Sequence, residues 1–194
     1  RKDGPGPYSF QRPALQPTDS VMLSGYGAPT KKVGLIHSMF RPSDDACLYP
    51  FLIPSNLFAV SVLRKIATVH REARGDNAAA TDAEALAAEV EAALKAHALI
   101  DDGKGGQVWA YEIDGFGNWV FMDDANVPSL SGLPLIDVVD RNDPIFLRTA
   151  ALAWSDRNPY FFKGTAAEGI GGPHIGLDMI WPDMDHRPSD ERRR

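Results

Sequence analysis

Two amphipathic runs separated by Gly75-Asp76-Asn77 constrain this chain more than any other feature. In the first, after Pro54, the residues Ala59, Val62, Leu63, Ile66 and Val69 recur at the 3.6-residue period of a helix, with Ser55 or Asn56 placed to cap it. In the second, Thr81 and Glu84 have capping-box spacing, with the Thr oxygen positioned for the amide three residues on. Leu86, Val90, Ala93, Leu94 and His97 then share one face up to a stop near Asp101-Asp102-Gly103. Two helices joined by so short a loop form an αα-hairpin, and the expected fold class is mainly α. His97 on that face reads as a core or boundary histidine rather than a ligand.

The flanking segments fill in around this hairpin. Residues 1–34 are rich in Pro and Gly and read as loops, with a short strand near Val21-Met22-Leu23. Gln107 to Ile113 alternates, and Trp119 to Met122 is similar. Asp114-Gly115-Phe116-Gly117-Asn118 between them predicts a β-hairpin. Pro128 suits the first turn of a helix running towards Val139, and another is expected from Asp143-Pro144 to near Ser155.

Composition excludes several functions. With 194 residues the chain suits one domain, and a net charge of -6 without a basic stripe argues against nucleic acid as a partner. No apolar run approaches the roughly 20 residues that span a bilayer. Cys47 is the single cysteine, so no internal disulfide forms; between Ala46 and Leu48 it reads as a small buried hydrophobe. The chain begins at Arg1 without a methionine, and its localisation is not legible.

Chemistry is concentrated in four acidic loop clusters. The first is Phe40-Arg41-Pro42-Ser43-Asp44-Asp45-Ala46, in which Pro42 stiffens a turn ahead of the apolar run Leu48 to Val60. The others are Glu112 with Asp114 to Asn118, then Asp123-Asp124-Ala125-Asn126, and finally Glu168-Gly169-Ile170-Gly171-Gly172-Pro173-His174. Each has a purely structural reading: Ser43 or an Asp as a helix cap, Asp114 as part of a hairpin turn, Asp124 or Asn126 as the cap of a helix at Val127-Pro128. The glycine loop lacks the Gly-Lys-Ser/Thr ending of a phosphate cradle. Taken together, Asp, Asn, Glu and His can hydrogen-bond sugar hydroxyls, while Trp119, Phe161, Phe162 and Trp181 offer flat apolar faces. Two carboxyl groups are the minimum for glycoside hydrolysis. A metal site is disfavoured by the lack of a His-x-x-x-His or Cys pair, and Asp183-Met184-Asp185-His186 reads as a solvated run.

At these residues the chain resembles glycoside hydrolase family 125, the metal-independent exo-α-1,6-mannosidases. Besides the Arg-Pro-Ser-Asp-Asp-Ala block, the matching segments are Phe51-Leu52-Ile53-Pro54-Ser55-Asn56, Tyr111 to Asn118, Met122 to Leu130, Asn158-Pro159-Tyr160-Phe161-Phe162-Lys163-Gly164 and Gly169 to His174. The resemblance runs from about Tyr8 to Pro182 and implies part of an (α/α)6 toroid of helical hairpins over residues 1–182, with residues 183–194 a polar tail that departs from the family pattern. It implies inverting, cofactor-free release of mannose from the non-reducing end of a mannose-containing oligosaccharide or glycan. The general acid is then Asp45 or Asp44, with Asp45 preferred. Arg41, Asp114, Asn118, Asp124, Asn126, Glu168, His174 and Trp181 are the candidate substrate-binding residues. The family's general base, a later glutamate, is not found, and Glu168 is the only late candidate. The alternative reading is a catalytically inactive fragment or sugar-binding remnant.

Overall fold

The computed structural model describes residues 8–181. At its centre is the helical hairpin, α1 (Ile53–Arg74) and α2 (Asn77–His97). Gly75 ends α1 at φ 66° and returns its amide to the His70 carbonyl, a left-handed stop that glycine adopts without strain. Asp76 then caps α2 by accepting from the Ala79 amide at 3.0 Å. The capping box expected at Thr81 is not formed. The Thr81 hydroxyl donates back to the Asn77 carbonyl, and Glu84 reaches across the hairpin to Arg71. Nor do Ser55 and Asn56 cap α1, whose N-cap is Leu52, without a side-chain bond, followed by Pro54 in the first turn.

The hairpin buries Ile53, Leu57, Val60 and Ala67 of α1 against Ala80, Ala87, Val90, Ala93 and Leu94 of α2. Ile66 and Val69 are exposed, as are Phe58 and His97, so the expected apolar phase of α1 and the placement of His97 are corrected. Apolar residues surround α1 on several sides, and periodicity then leaves open which stripe is covered. Alanines on α2 allow the close approach that decides it.

Short antiparallel sheets flank the hairpin. The alternating stretch 107–113 is divided between two of them. Gln107–Trp109 (β3) pairs with Leu99–Asp101 (β2), while Glu112–Ile113 (β4) lies between Phe51–Leu52 (β1) and Trp119–Val120 (β5). The β4–β5 hairpin is the one predicted around Asp114 to Asn118. Helix α3 (Pro144–Ala153) starts on Asp143, which accepts from the Phe146 amide, and stops slightly before the expected Ser155. Its Thr149 hydroxyl receives the Trp109 amide, docking α3 on β3. Phe161–Lys163 (β6) and Glu168–Ile170 (β7) form a last hairpin that the sequence did not announce.

Two expected elements are absent from the described residues. Met22 to Tyr26 form a turn with Leu23 and Ser24 at positive φ, not a strand. Between Pro128 and Val139 there is only a 3-10 turn, Leu133–Ile136; the Asp123 carboxylate takes the amides of Leu130 and Ser131 and the Ser129 hydroxyl that of Gly132, which holds 129–132 as a turn. The described chain is therefore mixed, three α-helices with small antiparallel sheets, rather than mainly α. None of its helices is long and apolar enough to cross a membrane. The tail 183–194 lies outside the described residues.

Candidate active site

The Phe40 to Ala46 stretch closes on itself. Phe40 and Ala46 form a β-bridge, the Arg41 amide donates to the Asp45 carbonyl at 2.8 Å, and the Asp44 amide donates to the Arg41 carbonyl at 3.1 Å. No helix follows Ser43, so helix capping does not explain these residues. The tight turn places neighbouring carboxylates in opposite environments. Asp44, at φ 67°, is exposed, whereas Asp45 is fully buried.

A buried ion pair fixes the turn to the sheet. Arg41 Nε donates to Glu112 Oε1 at 2.6 Å, while Glu112 Oε2 accepts from the amides of Leu48 and Tyr49 at 2.9 and 3.1 Å. The guanidinium also lies over the Tyr111 ring, 5.5 Å from its centroid. Burial alone would lower the Arg41 pKa, but the charge and hydrogen bond of Glu112 outweigh it and hold the group firmly cationic. Arg41 thus has a structural partner. Cys47 beside it is buried, and burial pushes its thiol far above the range of a nucleophile.

Ser43 joins the carboxyl groups of Asp45, two residues on, and Asp124, 81 residues on. Its Oγ lies 2.8 Å from Asp45 Oδ2 and 2.8 Å from Asp124 Oδ2, and both acids are fully buried. Asp45 Oδ1 has no hydrogen-bond partner within the described protein. Burial, the largest influence, pushes the Asp124 pKa upward against the opposing bonds from Ser43 and the Asn126 amide. The Tyr111 hydroxyl lies near enough to act on Asp124 but falls outside hydrogen-bond geometry. Behind Asp124, burial also raises Asp123, to about 6, although the Ala125, Leu130 and Ser131 amides all point at its carboxylate. Asn158 ties this loop down, accepting the Asp123 amide and donating to the carbonyls of Asp123 and Ala153.

The remaining candidates are distributed unevenly. His174 Nδ1 stands 4.0 Å from Asp45 Oδ2 and is partly open to solvent. Asn126 donates to the Asp124 carbonyl and shapes the same loop; no helix begins at Val127 for it to cap. Asp114 and Asn118 are occupied with one another: the Asp114 carboxylate accepts the amides of Phe116 and Asn118 and the Asn118 side chain, the bonding of a hairpin turn. Glu168 sits opposite Lys163 in the β6–β7 hairpin. Trp181 packs on Ala125, Ala153 and Ile170, its indole nitrogen without a partner. Sequence reasoning passed over Ser43 and Asp123 as site residues and did not pair Glu112 with Arg41. A glutamate between Tyr111 and Ile113, in an otherwise apolar strand, was the signal available. Among the described residues no group of three or more His, Cys, Asp or Glu is arranged to hold a metal ion.

The buried carboxyl pair thus has Asn, His and Trp side chains beside it, and comparison with known proteins shows the family of the chain that carries it. The metal-independent alpha-mannosidase family (GH125) matches residues 1–186, and the chain belongs to that family. A curated relative, the Meiotically up-regulated gene 157 protein of Schizosaccharomyces pombe, is 42% identical over 177 residues, which are 90% of this chain and 35% of the relative. A solved Streptococcus pneumoniae protein superposes with a TM-score of 0.88 at 36% identity, covering 91% of this chain and 42% of its own. That structure is described as a metal-independent alpha mannosidase in a non-productive complex with alpha-1,6-mannobiose. This chain therefore spans well under half the length of either relative.

Proposed function

We propose that this chain supplies the general-acid side of an inverting glycoside hydrolase site that releases mannose from the non-reducing end of α-1,6-linked mannosides, and that it forms part of an (α/α)6 toroid completed by further sequence. The observation that carries the reading is Asp45: one carboxyl oxygen is anchored on Ser43 and the other is left without a protein partner. A carboxylic acid held at one oxygen in buried surroundings can donate to a glycosidic oxygen from the other. His174, 4.0 Å from it, would meet a sugar hydroxyl, with Asp124, Asn126 and Trp181 on the neighbouring loop and flank. Asp44, exposed on the same turn, is the second candidate for the acid. The opposing carboxylate that would activate water about 6.5–9.5 Å away is expected from outside the segments assembled here.

The test is mannose release from α-1,6-mannobiose by the intact protein, with the anomeric form of the first product followed by NMR. Asp45→Asn is expected to lower kcat by roughly 10²–10⁴-fold while leaving the circular dichroism spectrum intact, and β-mannose should appear first. Undiminished turnover would remove Asp45 from the acid role. The short coverage of both relatives favours a second reading for the 194-residue chain by itself. In that reading it is an inactive, sugar-binding piece, and calorimetry would detect mannose binding without turnover.

A further inference from the structure

The Ser43 hydroxyl makes two 2.8 Å contacts with carboxyl oxygens, one to Asp45 Oδ2 and one to Asp124 Oδ2. A hydroxyl has one hydrogen and can donate to only one of them. The second contact, oxygen against oxygen, is attractive only if that carboxyl group carries a proton and donates to Ser43. We propose that Asp124 is kept as an un-ionised carboxylic acid, donating to Ser43 Oγ so that the Ser43 hydroxyl is committed to Asp45 Oδ2, which makes Ser43 and Asp124 positioning residues for the acid.

The opposite arrangement, with Asp45 donating to Ser43, would tie up the proton that the general acid must deliver. With the order Asp124 to Ser43 to Asp45, Asp45 Oδ2 only accepts, and it does so before Asp45 gives its proton from Oδ1 and more strongly afterwards, when the carboxyl group is charged. As that O–H bond breaks and the leaving oxygen takes the proton, the electron pair stays on Asp45, and Ser43 already points a donor at the growing charge. No proton moves along the relay. This is the use of a neutral buried carboxyl as a hydrogen-bond donor, here passed through a serine.

The surroundings are consistent with a neutral Asp124. It is fully buried, and burial is the largest influence on it, disfavouring its charged form. Arg41 opposes this, but that cation is already held by Glu112 at 2.6 Å. The Tyr111 hydroxyl and the Asn126 amide also face Asp124 and favour its charged form, against the larger effect of burial, and Tyr160 lies close to both acids.

The role assigned to Asp45 rests on the mannosidase reading, but the protonation of Asp124 can be measured without any turnover. In protein labelled with ¹³C at aspartate carboxyl carbons, assigned through Asp124→Asn and Asp45→Asn, the Asp124 signal is expected to stay at its un-ionised position at pH 7. A signal at the ionised position would overturn the proposal, whether or not the protein cleaves mannosides. In the active enzyme, Ser43→Ala should lower kcat roughly ten- to a hundred-fold, the worth of one hydrogen bond to a charge, with KM little changed. Ser43→Thr, which keeps the hydroxyl, should recover most of that loss. Equal kcat in Ser43→Ala and wild type, or no recovery in Ser43→Thr, would also overturn it. An un-ionised Asp124 in a protein that releases no mannose would leave the relay standing and sink the mannosidase reading alone.

Discussion

Arg41 Nε meets Glu112 Oε1 at 2.6 Å across 71 residues of sequence, and both side chains are out of water. The pair connects the turn carrying Asp44 and Asp45 to the middle strand of the β1-β4-β5 sheet. Two buried charges stabilise little relative to an apolar pair of the same shape, but either one left alone is costly. Glu112→Leu should therefore destabilise the protein by about 3–5 kcal/mol, and the double variant Arg41→Met, Glu112→Leu by clearly less. Urea unfolding of the three proteins checks this. A double variant as unstable as the single one would show that the amides of Leu48 and Tyr49, not the charge of Arg41, are what Glu112 serves.

Asp123 gives stability a pH dependence of known sign. Its pKa is raised by burial to about 6, from 3.8. Below pH 4 it is protonated in both folded and unfolded chains. As the pH rises towards 6 the unfolded chain ionises first, so stability falls through that window and levels off above it. The loss assignable to this group is on the order of 2–3 kcal/mol. Asp123→Asn removes it, at the expense of an amide that presents one acceptor oxygen to three backbone donors. The variant should be the less stable protein at pH 4, with the gap narrowing by pH 6.5. Chemical denaturation across that range, wild type against variant, would show it; a constant gap would mean that Asp123 does not titrate there.

How much of this could be read from the residues alone depends on the range of the interaction. The Asp114 to Asn118 hairpin and the start of α3 at Asp143-Pro144 were legible because turn and cap chemistry is local. The helical hairpin was legible as a pair of elements, but not in phase, since α1 carries Phe58, Ile66 and Val69 on sides that the described chain leaves open. The start of α2 was misplaced because Thr81 and Glu84 mimic a capping box while Asp76, five residues earlier, does the capping. Asp45 and Asp124 could be suspected from composition. Their union through Ser43 could not, because a hydroxyl that bridges residues 43 and 124 has no signature in either loop.

Asn56 illustrates a residue whose role is the reverse of the expected one. Rather than opening α1, its side chain accepts the Ile36 amide at 2.8 Å and donates to the carbonyls of Ile36 and Leu52 at 3.0 and 2.8 Å. It thereby fastens the extended segment that leads into the Phe40 turn. Asn56→Ala would strand a buried amide and two carbonyls, and should cost about 2–4 kcal/mol, one to two unsatisfied polar groups. Asn56→Asp should be no better, because it loses the donor. Hydrogen exchange at the Ile36 amide would report the release directly; unchanged protection there would show that the segment is held by other contacts.

Gly171 sets how closely the last described segment approaches the site. A Cβ there would run into the Met179 carbonyl oxygen and lie 3.0 Å from Phe162 Cε2, contacts that a methyl group cannot make. Backbone, not a flexible side chain, is the obstacle, so Gly171→Ala must move residues 179–181 or the β6–β7 hairpin. The Trp181 amide bond to the Ile170 carbonyl, 3.1 Å long, would break with that shift. Trp181 would then leave its packing on Ala125, Ala153 and Ile170, the flank of the Asp124 loop. The expected result is a loss of about 3 kcal/mol, the upper range for overpacking, with a red shift of tryptophan emission in the folded protein. Gly164→Ala is the matched control, since a Cβ there comes no closer than 3.3 Å to any neighbour. If Gly171→Ala behaved like Gly164→Ala, the 179–181 segment would not be seated on the β6–β7 hairpin, and Trp181 would have no place beside the acidic loop.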